Sequence, residues 1–449
     1  MKEFDEKGCY SYSKISKVAI PILLSMLVEH LIGMTDTAFL GRVSEVALGA
    51  SALGTVYFLI FFVLGSGFSF GAQILIARRN GEKNYSKIGQ ICYASGFFLL
   101  IMAVILTSFI IFCSDKIMPL LINSPNVCKA TIEYMEFRAY GLIFIFMTAL
   151  FRAFYVGIAK TKILTYSSII MVLSNIVLNY ALIFGKLGLP KMGIAGAALA
   201  SSIAEGIAML CYMFYTLKNP DLKKFGFHAY SAFFRLSILK KVFSVSFWMM
   251  LQPFLSVAVW FFFFVAVERL GERPLAVINL ARSVSALPFI IIHAFATSCN
   301  SLVSNLIGEG KNNQVWRLLG KVMLTAFIIV TPLLIFFSVF PELTLRVYTD
   351  NADLIQASVN VMYIMSISTF LQISAFILFN TVSGTGAVKM TAFIETVTLF
   401  IYVVFVWFII IKNHPTPAIA WTVEIIYQGF STIFCLLYLL SGKWKNRKL

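Results

Sequence analysis

"KNPDLKKFGFHAYSAFFRLSILKK", residues 218–241, carries six Lys or Arg and separates two stretches of chain that are apolar almost throughout. About 20 apolar residues at 1.5 Å each cross a hydrocarbon layer of ~30 Å. Six runs of that kind precede this connection (18–38, 52–77, 89–112, 132–157, 163–184 and 194–217) and six follow it (240–264, 276–306, 318–339, 357–383, 390–411 and 417–441). With 449 residues, 59% of them hydrophobic, 12% charged and a mean hydropathy of +0.87, the chain has too little polar surface for a soluble domain. Inside a bilayer every backbone polar group must bond within the chain, so the runs are predicted helices. The expected fold is an all-α membrane protein of twelve transmembrane helices. Its parts are an N-terminal six-helix bundle over 1–217, a cytoplasmic linker over 218–239 and a C-terminal six-helix bundle over 240–449.

The net charge of +16 raises the question of nucleic acid, but the Lys and Arg stand between apolar runs rather than on a polar domain. Alternate connections divide them 24 to 9, with Arg138, Arg152 and Arg282 inside spans. By the positive-inside rule both termini are expected in the cytoplasm of a cell that holds the protein in its plasma (inner) membrane. The N-terminus mixes acidic and basic residues and lacks a small-residue cleavage site, so no signal peptide is expected. Seven cysteines fall at 9, 92, 113, 128, 211, 299 and 435 without C-x-x-C spacing, which suggests neither a zinc site nor a disulfide framework.

The two halves repeat a pattern. Gly157-Ile-Ala159-Lys-Thr-Lys162 closes the fourth span, and Gly384-Thr-Gly386-Ala-Val-Lys389 closes the tenth, 227 residues later. Polar turns follow the second span of each set, at 80–84 and 308–312. An even number of helices per copy gives both copies one orientation, so a pseudo-two-fold axis along the membrane normal is expected, with a cleft between two facing bundles.

A carboxylate at mid-bilayer costs at least ~2.5 kcal/mol and needs a reason. Glu29 and Asp36, seven residues apart in the first span, share one helix face. Asn175 and Asn179 lie one turn apart in the fifth span and offer carbonyl oxygens, hard ligands for a cation such as sodium; Ser201 and Glu205 repeat that spacing in the sixth. The plain alternatives are solvation at a helix end for Asp36 and interhelical hydrogen bonding for the Asn pair. Glu395 is the main buried carboxylate expected in the second half, with snorkelling to the interface as its rival reading. Pro21, Pro253, Pro288 and Pro332 permit kinks. Among 44 Phe and 17 Met, several such as Phe61 and Met249 fall on helices expected near the cleft, where aromatic and sulfur contacts suit flat hydrophobic cations. No nucleophile with its base and no H-E-x-x-H appears, His30, His228, His293 and His414 being far apart, so neither an enzyme nor a metal site is expected. No repeated re-entrant filter segment suggests a channel. Nothing demands a cofactor or an oligomer, so a monomer is expected.

Several of these residues carry a resemblance over essentially the whole chain. Pro21 with Met34-Thr-Asp36-Thr, Gly71-Ala-Gln73, Arg152-Ala-x-x-x-Gly157 with Lys162, Asn175-x-x-x-Asn179 and Gly193-Ile-Ala-Gly196-Ala-Ala together resemble the multidrug and toxic compound extrusion (MATE) family. The resemblance implies twelve-helix antiporters that expel organic cations in exchange for sodium ions or protons. It implies a coupling-ion site in which the acid of helix one, here Asp36, faces a pair on helix five whose second member is often Asp. Here that member is Asn179, one negative charge fewer, and Glu205 is the candidate to supply it. Sodium is then expected at Asp36, Asn175 and Asn179, with Ser201, Glu205 and Glu29 in the same coupling site. Gln252 stands where relatives can carry an acidic residue, which places it with Glu395, Phe61 and Met249 as substrate-cleft candidates. A flippase for lipid-linked oligosaccharides, of the same superfamily, is the alternative; it would favour a basic cleft, against which three dispersed intramembrane arginines count.

Overall fold

The computed structural model describes residues 9–122, 124–226 and 236–445; His228 and residues 227–235 of the connection lie outside them. Every regular element among the described residues is helical. The helices are α1 Tyr12–Leu40, α2 Glu45–Gly81, α3 Tyr85–Leu121, α4 Pro125–Ala139, α5 Gly141–Gly157, α6 Lys162–Phe184, α7 Gly193–Lys218, α8 Leu236–Glu268, α9 Glu272–Gly308, α10 Val315–Val339, the short α11 Pro341–Arg346, α12 Ala352–Gly384, α13 Val388–Phe405 and α14 Pro417–Leu440. Eleven of the helices are long and apolar enough to cross a membrane, and α4 with α5, bent by 49° at Tyr140, makes the twelfth span. Most run past the predicted ends because hydropathy reports only the hydrocarbon layer, whereas a helix continues into the interface until it is capped. Ser44 accepts from the Ala47 amide at 3.0 Å to start α2, and Asn351 accepts from Leu354 at 3.1 Å to start α12.

The 227-residue repeat is visible in backbone geometry. Gly157 and Gly384 close α5 and α12, and each is followed two residues on by a left-handed residue, Ala159 (φ 55°) and Gly386 (φ 87°). A Cβ at Gly157 would stand 3.2 Å from the Gln73 carbonyl oxygen, and one at Gly384 would stand 2.5 Å from that of Asn300, again 227 residues on. Likewise α2 and α9 end at Gly81 and Gly308, each followed by a left-handed residue, Lys83 (φ 57°) and Gly310 (φ 75°). Helices in lipid gain no hydrophobic drive toward one another, so close approach at small residues is what holds each pair.

The chain forms two compact units whose boundaries fall inside helices: Ile20–Met250, and Leu251–Leu449 together with Met1–Ala19. Local packing explains both positions. In the first unit the start of α8 lies directly on α2, where a Cβ at Gly67 would stand 2.5 Å from Met249 O and one at Gly71 would stand 2.5 Å from the Ser246 Cα, and Ser246 Oγ donates to Phe68 O at 2.9 Å. In the second, the Tyr10 hydroxyl donates to Glu309 Oε1 at 2.7 Å and Lys321 Nζ donates to Tyr10 O at 2.7 Å, which ties the chain's beginning to α9 and α10. The compact units part within α1 and within α8.

Candidate functional site

In the Ile20–Met250 unit, α1, α6 and α7 bring Asp36, Asn175, Asn179 and Ser201 into one hydrogen-bonded group. Asn179 Nδ2 donates to Asp36 Oδ1 at 2.6 Å and to Asn175 Oδ1 at 3.0 Å. Asn175 Nδ2 donates to Ser201 Oγ at 3.1 Å, and Ser201 Oγ donates to Asp36 Oδ2 at 3.1 Å. Both asparagines are fully buried and Asp36 is half-buried. One acceptor is left over: the buried Asn179 Oδ1 has no hydrogen-bond partner. A buried unpaired acceptor costs about 1–3 kcal/mol, and this one belongs to the residue whose amide nitrogen donates to the Asp36 carboxylate. The set of carboxylate, amide and hydroxyl oxygens suits a proton or a monovalent hard cation. Among the described residues no three His, Cys, Asp or Glu gather as a metal site.

The α6–α7 contact that positions this group depends on Gly196, where a Cβ would stand 2.7 Å from Leu182 O and 2.8 Å from its carbonyl carbon. Residue spacing then does the rest, since Asn179 is three positions before Leu182 and Ser201 is five after Gly196.

Glu29 and Glu205 sit elsewhere. Glu29 pairs with Arg152 of α5 at 2.5 Å and accepts from Ser25 at 3.0 Å and Ser168 at 2.7 Å, so it forms a separate cluster rather than joining Asp36. Glu205 is held through both oxygens by Arg138 of α4, at 2.8 and 2.6 Å, and its charge is already matched there. The Arg138 guanidinium also lies over the Phe58 ring, 4.0 Å from its centroid. Sequence reasoning missed Arg138 as a partner, because its carboxylate is 67 residues away on another helix.

The other unit holds a second polar cluster on α8, α13 and α14. Glu395 Oε1 accepts from Ser256 Oγ at 2.5 Å and from the Tyr427 hydroxyl at 2.9 Å, while Gln252 Nε2 donates to Thr391 Oγ1 at 2.9 Å. Glu424 Oε1 accepts from the Tyr402 hydroxyl at 2.9 Å, and the Tyr402 and Tyr427 rings meet edge to face at 5.8 Å. Glu395 and Gln252 are buried, and among the described residues no Lys or Arg pairs with Glu395 or Glu424. Glu424, nearly two turns into an apolar helix, was legible by the criterion that singled out Glu395. Phe61 packs among Tyr57 and Phe109, with centroids at 5.1 and 6.1 Å, and Met249 is buried beside α2.

A family model described as MatE matches residues 21–181 and 245–408. The chain is 25% identical over 440 residues to the probable multidrug resistance protein NorM of Thermotoga maritima, covering 97% of this chain and 93% of that protein. It is 26% identical over 303 residues to the multidrug resistance protein MdtK of Pectobacterium atrosepticum, covering 66% and 65%. In fold it is similar to a multidrug resistance MATE family transporter of the MOP superfamily solved in an outward-facing conformation (TM-score 0.89, 17% identity, 97% of each chain). It is also similar to a MOP superfamily transporter from Pyrococcus furiosus whose binding pocket is described as of reverse polarity (TM-score 0.88, 18% identity, 97% of each chain). Since the MatE model covers both halves and well over half of the residues, this multi-span membrane protein belongs to the MatE family of transporters.

Proposed function

We propose that this protein is a secondary active antiporter that exports organic cations in exchange for sodium ions or protons. The observation that carries the reading is the group of Asp36, Asn175, Asn179 and Ser201 on three helices, in which Asn179 Oδ1 is unpaired. The names of the NorM and MdtK relatives support multidrug efflux as the physiological task. Asp36, Asn175, Asn179 and Ser201 hold the coupling ion in this reading, and the ion is cargo rather than a resident cofactor. Glu395, buried, and Glu424, half-buried, each without a cation of its own, supply the counter-charge for an organic cation, with Gln252 as a polar contact.

Exchange follows when the coupling ion and the drug each stabilise a different arrangement of the helices, because a ligand shifts such an equilibrium only by its differential affinity for the two states. The membrane potential adds ~2.3 kcal/mol per charge moved per 100 mV. The 24 to 9 bias of basic residues supports cytoplasmic termini in the plasma membrane, and the protein acts as a monomer in this reading.

A flippase for lipid-linked oligosaccharides would need free guanidiniums for pyrophosphate. Arg138 and Arg152 are instead engaged by Glu205 and Glu29, which weighs against it.

The test is transport in proteoliposomes with ethidium as the cationic probe. Asp36→Asn, which keeps the size and the acceptor but loses the charge, is expected to abolish uphill ethidium movement driven by a sodium or proton gradient. An Asp36→Asn protein that still concentrates the dye would remove Asp36 from coupling.

A further inference from the structure

We infer that Arg138 is a resident counter-cation of the Asp36 site, which competes with the coupling ion for that carboxylate. The inference rests on the reading of Asp36 as the ion site and adds the element that governs ion release.

The geometry is a short relay along α7. Ser201 donates to Asp36 Oδ2 at 3.1 Å, and Glu205, one helical turn further on (about 6 Å of rise), binds the Arg138 guanidinium with both oxygens. Asp36 is accordingly among the charges that act on the guanidinium. Its other side is an aromatic face, the guanidinium carbon lying 4.0 Å from the Phe58 centroid, so Glu205 is the acceptor that fixes its position. The space it occupies is kept open by a glycine: a Cβ at Gly141 would stand 2.3 Å from Arg138 Nη1 and 2.8 Å from both Glu205 Oε2 and Ser202 Oγ. Gly141 begins α5 immediately after the 49° bend, and Arg138 lies in the last turn of α4 immediately before it. Ser202, the neighbour of Ser201, donates to Phe137 O at 3.2 Å, so α7 touches both the ion site and the bend.

The charged and titratable groups around the guanidinium are Asp36 on α1, Tyr134 on α4 and Glu205 on α7, with Glu29 further along α1 and already paired to Arg152; α6 contributes Asn175 and Asn179 to the Asp36 group. Two carboxylates and one guanidinium leave a single negative charge, which one proton or one sodium ion neutralises. While that ion sits on Asp36, Arg138 belongs to Glu205. When it departs, the guanidinium is shared with Asp36, so the emptied carboxylate is never left without a positive partner. This lowers ion affinity to a level from which release is fast. It also confines the exchange at this site to one charge.

Two variants move ion affinity in opposite directions, which a merely structural pair would not do. The measurement is the charge displacement on sodium or proton jumps, recorded on solid-supported membranes carrying the full-length protein. Arg138→Gln leaves two carboxylates without a resident cation and is expected to tighten the apparent ion affinity about tenfold or more. Glu205→Gln leaves Arg138 with Asp36 as its carboxylate partner and is expected to weaken affinity about tenfold. Both weakening, or neither shifting, overturns the inference. Arg138→Gln carries the decisive sign by itself, so the test stands even if Glu205→Gln does not insert. Asp36→Asn serves as the control: its silence keeps the ion-site reading, whereas an undiminished signal in it defeats that reading and this inference separately from the Arg138 result.

Discussion

Gly196→Ala tests whether helix packing, rather than the polar residues alone, builds the ion site. The added Cβ would lie 2.7 Å from Leu182 O, and ordinary contact begins near 3.4 Å, so α7 must move from α6 by about 0.7 Å. The obstacle is backbone, which no rotamer change relieves. Overpacking of this kind costs about 1–3 kcal/mol, or roughly 5- to 150-fold in the folded-to-unfolded ratio. The same displacement stretches the Asn175 to Ser201 hydrogen bond from 3.1 Å beyond bonding distance. Two effects are therefore expected together: a lower melting midpoint in detergent, and weaker dependence of ethidium transport on the ion gradient in protein that remains folded. Gly206→Ala, also on α7, is the matched control, because the nearest atoms to its Cβ would be those of the Phe144 ring at 3.6 Å, an ordinary contact. If Gly196→Ala matched both the wild-type midpoint and its ion dependence, the account of the α6–α7 contact would be wrong.

Further outcomes follow from the other clusters. Glu395→Gln keeps an acceptor for Ser256 and Tyr427 and is expected to fold within ~1 kcal/mol of wild type while transporting ethidium several-fold more weakly; unchanged transport would take Glu395 out of substrate recognition. Arg152→Gln strands the Glu29 carboxylate, and because both side chains are about one-quarter exposed the loss is expected at about 1–3 kcal/mol, between the surface and fully buried limits. Chemical unfolding measures it, and Arg152→Gln with Glu29→Gln should recover most of the loss.

The spans show how far a local reading carries. Membrane crossing depends on the summed transfer cost of about 20 neighbouring residues, so it was legible for all twelve runs, including the one that the structure resolves as α4 and α5 bent at Tyr140. The bend itself left no mark in hydropathy, since Arg138-Ala-Tyr-Gly141 contains no proline. The internal repeat was legible because its glycines meet a backbone requirement that recurs at one spacing, close approach at Gly157 and Gly384 and left-handed φ two residues on. The Asn175 and Asn179 pair was legible for a similar reason, one helical turn of separation within a single element.

The pairing of charges was not. From spacing alone Asp36 stood out, with Glu29 on its helix face, and Glu205 looked available to replace the charge absent at Asn179. The fold matched Glu205 to Arg138 and Glu29 to Arg152, and left Asp36 with amide and hydroxyl donors. These partners are 67, 123 and 143 residues apart. Thus the sequence by itself determined a membrane-spanning, duplicated helical chain with acids inside it, because solvation and helix periodicity are properties of neighbours along the chain. Only the tertiary structure decided which acid stays uncompensated, because Coulomb attraction and hydrogen bonding act over a few ångströms and depend on which helices the small-residue contacts bring together.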